Sequence, residues 1–406
     1  MRTAPSAAPV GGRRRRLILA LAGLTALGPL SLDFYLPALP RVAEQLHGTA
    51  SGAQLTLTAA LAGLAAGQLV MGPLSDRFGR RGPLIVGMAA YVVTSGLCAL
   101  APSMAVLVGL RLLQGLAGSG GIVISRAVVR DLYEGNAAVR FFSVLMLVMG
   151  LAPILAPVIG GQLVGLVGWR GLFGVLAGAG AVILVAVLAW VPESWPRERR
   201  AAGGIGQSLR SIGRLTGDRR LMGYAIATGL AFAAMFAYIA GSPFVIENVY
   251  GASPQAFSLV FATNALGQML VAQLNGRLVG RYTPWQLLLV GHVLIALGGM
   301  AALAVVAAGG PGLLVLLVPL FVVVASLGFV MPNSAALSLE SHPEAAGAAS
   351  ALLGVFQLAF GAVVAPLVGL GGAHTALPMA TVMAVVGVAG LVVLVAMVGR
   401  ARSEGL

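Results

Sequence analysis

The chain has 406 residues, 59% hydrophobic and only 9% charged, with a formal net charge of +13 and a mean hydropathy of +0.97. Soluble domains carry about 25% charged residues, so this composition excludes a large soluble globule and makes the bilayer the solvent. All 25 basic side chains are arginine, which excludes a Walker A lysine and a Schiff-base lysine.

A membrane helix needs roughly 20 apolar residues. Apolar runs between charged or Pro/Gly-marked breaks predict twelve of them. They cover 17–38, 53–73, 83–101, 104–126, 140–164 and 171–191, then 221–244, 255–276, 285–308, 312–335, 348–370 and 375–398. Arg13 to Arg16 before an apolar run have the look of a signal peptide. The run is long and no A-x-A site ends it, so it is read as an uncleaved first span.

With the N-terminus placed in the cytoplasm, only Arg41 and Arg170 fall in outer loops, and Arg111 lies inside span four. Every other arginine falls on the cytoplasmic side, so both ends are expected there. The positive charge therefore reports topology and not a nucleic-acid partner. The expected organisation is a basic tail (1–16), a six-helix bundle (17–191), a linker (192–220), a second six-helix bundle (221–398) and a short tail (399–406). Within the linker, Ile205 to Leu215 fits an amphipathic surface helix.

The halves repeat. Gly67-Gln68-Leu69 with Leu74, Arg77 and Arg81 recurs as Gly267-Gln268-Met269 with Leu274, Arg277 and Arg281. Ala156-Pro157-Val158-Ile159-Gly160 recurs as Ala365-Pro366-Leu367-Val368-Gly369. Parallel six-span repeats mark transporters whose site lies between the halves near the midplane. Gly276 stands where the first copy has Asp76, so a charge role there belongs to the first half alone.

Between spans two and three the chain reads Gly72-Pro73-Leu74-Ser75-Asp76-Arg77-Phe78-Gly79-Arg80-Arg81. This string resembles the signature loop of the major facilitator superfamily. Span four carries Arg111-Leu112-Leu113-Gln114-Gly115, similar to the R-x-x-Q-G motif of that superfamily's drug:proton antiporters. Span five carries Gly150, Pro153, Pro157 and Gly160, and resembles their Gly/Pro-rich antiporter motif. Leu32-Asp33-Phe34-Tyr35-Leu36-Pro37-Ala38-Leu39-Pro40 resembles the bicyclomycin/chloramphenicol resistance subfamily, as do Gly168-Trp169-Arg170 and Met331-Pro332-Asn333. The resemblance spans about 17–398. It implies an all-α membrane protein with twelve helices in two pseudo-repeats, exporting small amphipathic drugs or metabolites in exchange for protons.

Several residues are candidates for that work. A guanidinium inside a span costs roughly 3 kcal/mol and is usually functional or paired. Arg111 therefore tunes a nearby carboxylate, orients water or substrate, or bonds helix carbonyls. Asp33 is the one carboxylate clearly inside an apolar span; the resemblance implies a proton site there, and a helix-end cap or a partner for Arg41 is the other reading. Tyr35, Gln114, Phe236, Tyr238, Asn264 and Gln357 are candidate substrate contacts, with core packing as the alternative. Arg130 and Asp131 are placed to latch against the 2–3 loop, whose Gly72, Asp76, Arg77, Gly79, Arg80 and Arg81 form the gate motif. One cysteine, Cys98, and four scattered histidines match no disulfide or zinc spacing, so neither metal nor cofactor is expected. The partners expected are a small-molecule substrate, protons and the bilayer, with a monomeric chain. A dedicated amino-acid or sugar transporter of the same fold is the second reading. An enzyme is disfavoured, because no catalytic constellation is evident.

Overall fold

The computed structural model describes residues 12–196, 216–310, 312–341 and 346–399. The surface helix expected over Ile205 to Leu215 lies outside them, as do most of both tails. The elements in chain order are α1 (Gly12–Asp33), α2 (Leu39–Gln45), α3 (Ala50–Phe78), α4 (Arg81–Ala99), α5 (Met104–Leu132) and α6 (Gly135–Trp190). The second half adds α7 (Arg219–Pro243), α8 (Pro254–Leu278), α9 (Pro284–Ala307), α10 (Leu313–Ser341), α11 (Ala346–Val368) and α12 (Leu377–Leu394).

Among the described residues, eleven helical segments are long and apolar enough to cross a membrane. One of them is double. Gly168 adopts φ 64° and ψ 179° inside α6, a conformation open to glycine and strained for other residues. The chain turns there, so α6 supplies both the fifth and sixth spans and the count reaches twelve. Trp169 is buried behind the turn. Arg170 caps the end of α4, donating from Nη1 to the carbonyls of Ala99 (3.0 Å) and Ala101 (2.9 Å).

Helix starts follow local chemistry. Asp218 accepts from the N–H groups of Arg220 and Leu221 to open α7, and Ser253 followed by Pro254 opens α8. Thr283 and Gln286 form a reciprocal capping box at α9. Where helices meet, glycine lets backbones touch. A Cβ on Gly115 would collide with the Ala60 carbonyl, and one on Gly160 with the Phe34 carbonyl.

Two compact units emerge. The first comprises residues 1–35 and 59–205, and the second 36–58 and 206–406. In the second unit, residues 51–58 bond to α7 and α11. Ser51 Oγ donates to Pro366 O, Gln54 Nε2 to Ala240 O, and Thr58 Oγ1 to Ala362 O, each at 3.0 Å. Two of these acceptors are carbonyls that helix irregularities release. Pro366 has no N–H to return to Ala362. The Phe244 N–H bonds Gly241 rather than Ala240, where α7 passes into a π-helix over Phe244–Val249.

Candidate functional site

The first unit holds a buried polar network around Arg111, which is 0% exposed. Its Nη2 donates to Ser31 O at 2.8 Å, and its Nη1 donates to Gln114 Oε1. Gln114 Nε2 passes the chain to Ser95 Oγ at 2.7 Å. The Ser31 and Tyr91 hydroxyls share a 2.6 Å bond. The guanidinium carbon lies 4.4 Å from the Tyr35 ring centroid and 5.5 Å from that of Phe173, and those two rings pack at 5.3 Å.

No carboxylate neutralises this cation. The ion pairs seen around a guanidinium, to Asp76 and Asp131, belong to Arg80 and not to Arg111. The insertion cost of a central arginine is about 3 kcal/mol. A desolvated cation–π contact returns about 2 kcal/mol, and each bond to a charged donor about 1.5–3 kcal/mol. Carbonyl, amide and ring faces therefore suffice to hold the charge. Asp33 ends α1 two residues beyond Ser31 and is 8% exposed. It is not ion-paired with Arg111; the two are linked along the α1 backbone through Ser31 O. Tyr35, Gln114 and Arg111 are brought together, and Asp33 is not among the partners of Arg111.

A second cluster sits where the 2–3 loop meets the end of α5. Gly79 (φ 92°) makes the turn between α3 and α4. Arg80, 1% exposed, donates from Nε to Asp131 Oδ2 (2.9 Å) and from Nη1 to Asp76 Oδ1 (2.5 Å) and Ser75 Oγ (2.8 Å). Its guanidinium carbon lies 4.7 Å from the Trp195 ring centroid. Burial opposes the charged form, and the bonds and charges of Asp131 and Asp76 outweigh it, holding the pKa above its ordinary value. The start of the linker closes the cluster. Glu193 Oε1 accepts the Arg80 N–H at 2.8 Å, Ser194 Oγ donates to Asp131 Oδ2 at 3.0 Å, and Trp195 Nε1 donates to Asp76 O at 3.1 Å. Of the expected latch pair, Asp131 joins this cluster, whereas Arg130 is exposed. Arg77 and Arg81 rim it, and Gly72 lies on α3 one turn before Asp76.

On α6, Gly150 is exposed, while Pro157 and Gly160 are buried and Pro153 is half-buried. Both prolines lie inside the helix.

The second unit carries an aromatic wall. Tyr238 stacks on Phe261 (5.7 Å), Phe261 meets Phe257 (5.9 Å), and Phe232 stacks on Phe236 (5.4 Å). Within it, the buried polar groups of Tyr238, Ser242 and Asn264 lie together. Gln357 is half-buried one turn before Gly361, and Gly361 lies against Phe232 and Phe236. His292 bonds the Leu288 carbonyl at 3.1 Å through Nδ1 and is packed inside α9.

Sequence reading missed Ser31, Tyr91, Ser95, Glu193, Ser194, Trp195 and Ser242. Isolated serines and tyrosines carry no motif, and Glu193-Ser194-Trp195 reads as ordinary linker. The PESW string directly after span six was the available signal.

The Major Facilitator Superfamily model matches residues 19–366. This chain belongs to that superfamily. An uncharacterized MFS-type transporter of Bacillus subtilis (YdgK) is 38% identical over 94% of this chain and 95% of its own length. A bicyclomycin resistance protein homolog of Haemophilus influenzae is 30% identical, covering 89% and 91%. Among solved structures, a bacterial homologue of the human lysosomal transporter Spinster, inward-facing and unoccupied, superposes with a TM-score of 0.77. It is 14% identical and covers 96% of both chains, a likeness of fold. This superfamily member is a multi-pass membrane transporter.

Proposed function

We propose that the chain exports small amphipathic compounds, antibiotics among them, in exchange for protons. The observation that carries this reading is the Arg111 network: a fully buried cation with aromatic faces and no carboxylate, directly beside the carboxyl-bearing end of α1. The resistance-protein name of the Haemophilus relative supports it. In this reading Asp33 takes and gives the proton. Its change of charge moves the end of α1, and Ser31 O transmits the movement to Arg111 and α5. The aromatic wall of the second unit, with Tyr238, Asn264 and Gln357, supplies substrate contacts. The two bundles (17–191 and 221–398) alternate access around the site. The arginine asymmetry supports cytoplasmic termini, and a monomer suffices for the cycle.

Proteoliposomes with an imposed pH gradient test the coupling. Chloramphenicol and a fluorescent cationic dye serve as probes. Uptake that follows the gradient and vanishes with a protonophore supports exchange. Uptake indifferent to the gradient refutes it.

A further inference from the structure

An open cavity lies beside the Arg80 cluster, lined by none of the Arg111 network's residues. It is a groove of about 680 Å³ on the first unit between α3, α4 and α5. Phe78, Val86, Leu113 and Leu116 form exposed walls. Its one polar lining side chain, Thr94, spends its hydroxyl on the Ala90 (2.7 Å) and Tyr91 (3.1 Å) carbonyls. Gly87 and Ala117 form the floor, and a Cβ on Gly87 would lie 3.1 Å from the Ala117 carbonyl, so the depression is set by close helix packing. An occupant must therefore be apolar along its whole length.

The groove is also long. From Gly82 to Thr94 it follows α4 for about 18 Å at 1.5 Å per residue. One leaflet of a hydrocarbon core is about 15 Å deep, half of roughly 30 Å. Its volume falls in the range of small-molecule sites, about 300–1,000 Å³. These dimensions suit a single extended hydrocarbon chain that begins at one membrane surface.

That surface is the end where the linker begins, and it is cationic. The Arg77 guanidinium carbon lies 5.3 Å from the centroid of Phe78, a wall residue. Arg81 adjoins Gly82; its Nη2 bonds the Leu188 carbonyl, and its Nε is buried without a partner. Acidic groups are near, but occupied. Asp76 Oδ1 is held by Arg80, and the two Glu193 oxygens accept the Arg80 and Arg81 backbone N–H groups. Neither Arg77 nor Arg81 is ion-paired among the described residues. We propose that this groove binds one acyl chain of an anionic phospholipid, whose phosphate is held by Arg77 and Arg81 at its mouth.

Native mass spectrometry of the full chain, released from detergent, tests this with phosphatidylglycerol, phosphatidylcholine of the same chains, and glycerol phosphate. The expected result is at least a fivefold preference for phosphatidylglycerol, with glycerol phosphate unable to displace it. Arg77→Gln with Arg81→Gln should abolish the preference. Ala90→Phe, which fills the groove from an exposed position, should abolish the adduct, and Leu113→Trp serves if that variant does not fold. Equal retention of both lipids by the wild type overturns the proposal. So does wild-type binding by both groove-filling variants, or displacement by glycerol phosphate.

Discussion

Thr58 Oγ1 donates a 3.0 Å hydrogen bond to the Ala362 carbonyl, the group that Pro366 leaves without its helix donor. In hydrocarbon an unmet carbonyl is costly, so proline at 366 creates a need that threonine at 58 meets. Interhelical bonds of this kind contribute about 0.6 kcal/mol on average in membranes. Thr58→Val should therefore lower the melting temperature by about a degree or two. In a Pro366→Ala background the helix regains its own bond, and the same change should have almost no effect. A double-mutant cycle on purified protein reads the difference, and equal losses in both backgrounds would refute the link.

The Arg80 cluster gives a larger effect. Removing one partner of a buried ion pair costs about 3–5 kcal/mol. Asp131 carries a side chain only 5% exposed, so Asp131→Asn should destabilise strongly. Asp76, whose side chain is 49% exposed, should cost less than about 1 kcal/mol when changed to Asn. Thermal melts of both variants check the order, and Asp76→Asn proving the more damaging would reverse it.

At Arg111 the fork matters more than the charge. A lysine offers a point charge and cannot bond Ser31 O and Gln114 Oε1 together while lying over Tyr35. Arg111→Lys should therefore lose transport by tenfold or more with expression retained. Tyr35→Phe keeps the ring face and should retain more transport than Tyr35→Leu, which removes a contact of about 2 kcal/mol and should fall by tenfold or more. Initial uptake rates in matched vesicles decide this. Equal activity of the phenylalanine and leucine variants would remove the ring from the argument.

The spans were legible because hydropathy and Gly/Pro punctuation act locally. Even the kink at Gly168 shows as a Gly-Trp-Arg break between two apolar runs. Helix ends were less so: α5 runs on to Leu132, six residues beyond the apolar run. For Arg111 a helix carbonyl was among the readings, and Ser31 O is one of its partners; the glutamine and the two rings leave no charge pattern to read. The bonds from Ser51, Gln54 and Thr58 join residues 186 to 315 positions apart. Their acceptors are carbonyls present at every position, and only Pro366 hints that one of them is free.

The central claim is that export runs on protons carried by Asp33. Its most direct test is gradient-driven transport by Asp33→Asn beside the wild type, in vesicles with matched protein content. The account predicts that an imposed pH gradient drives the wild type while Asp33→Asn is inactive, although it still binds the probe. Gradient-driven transport by Asp33→Asn at the wild-type rate would contradict it and place the coupling carboxylate elsewhere.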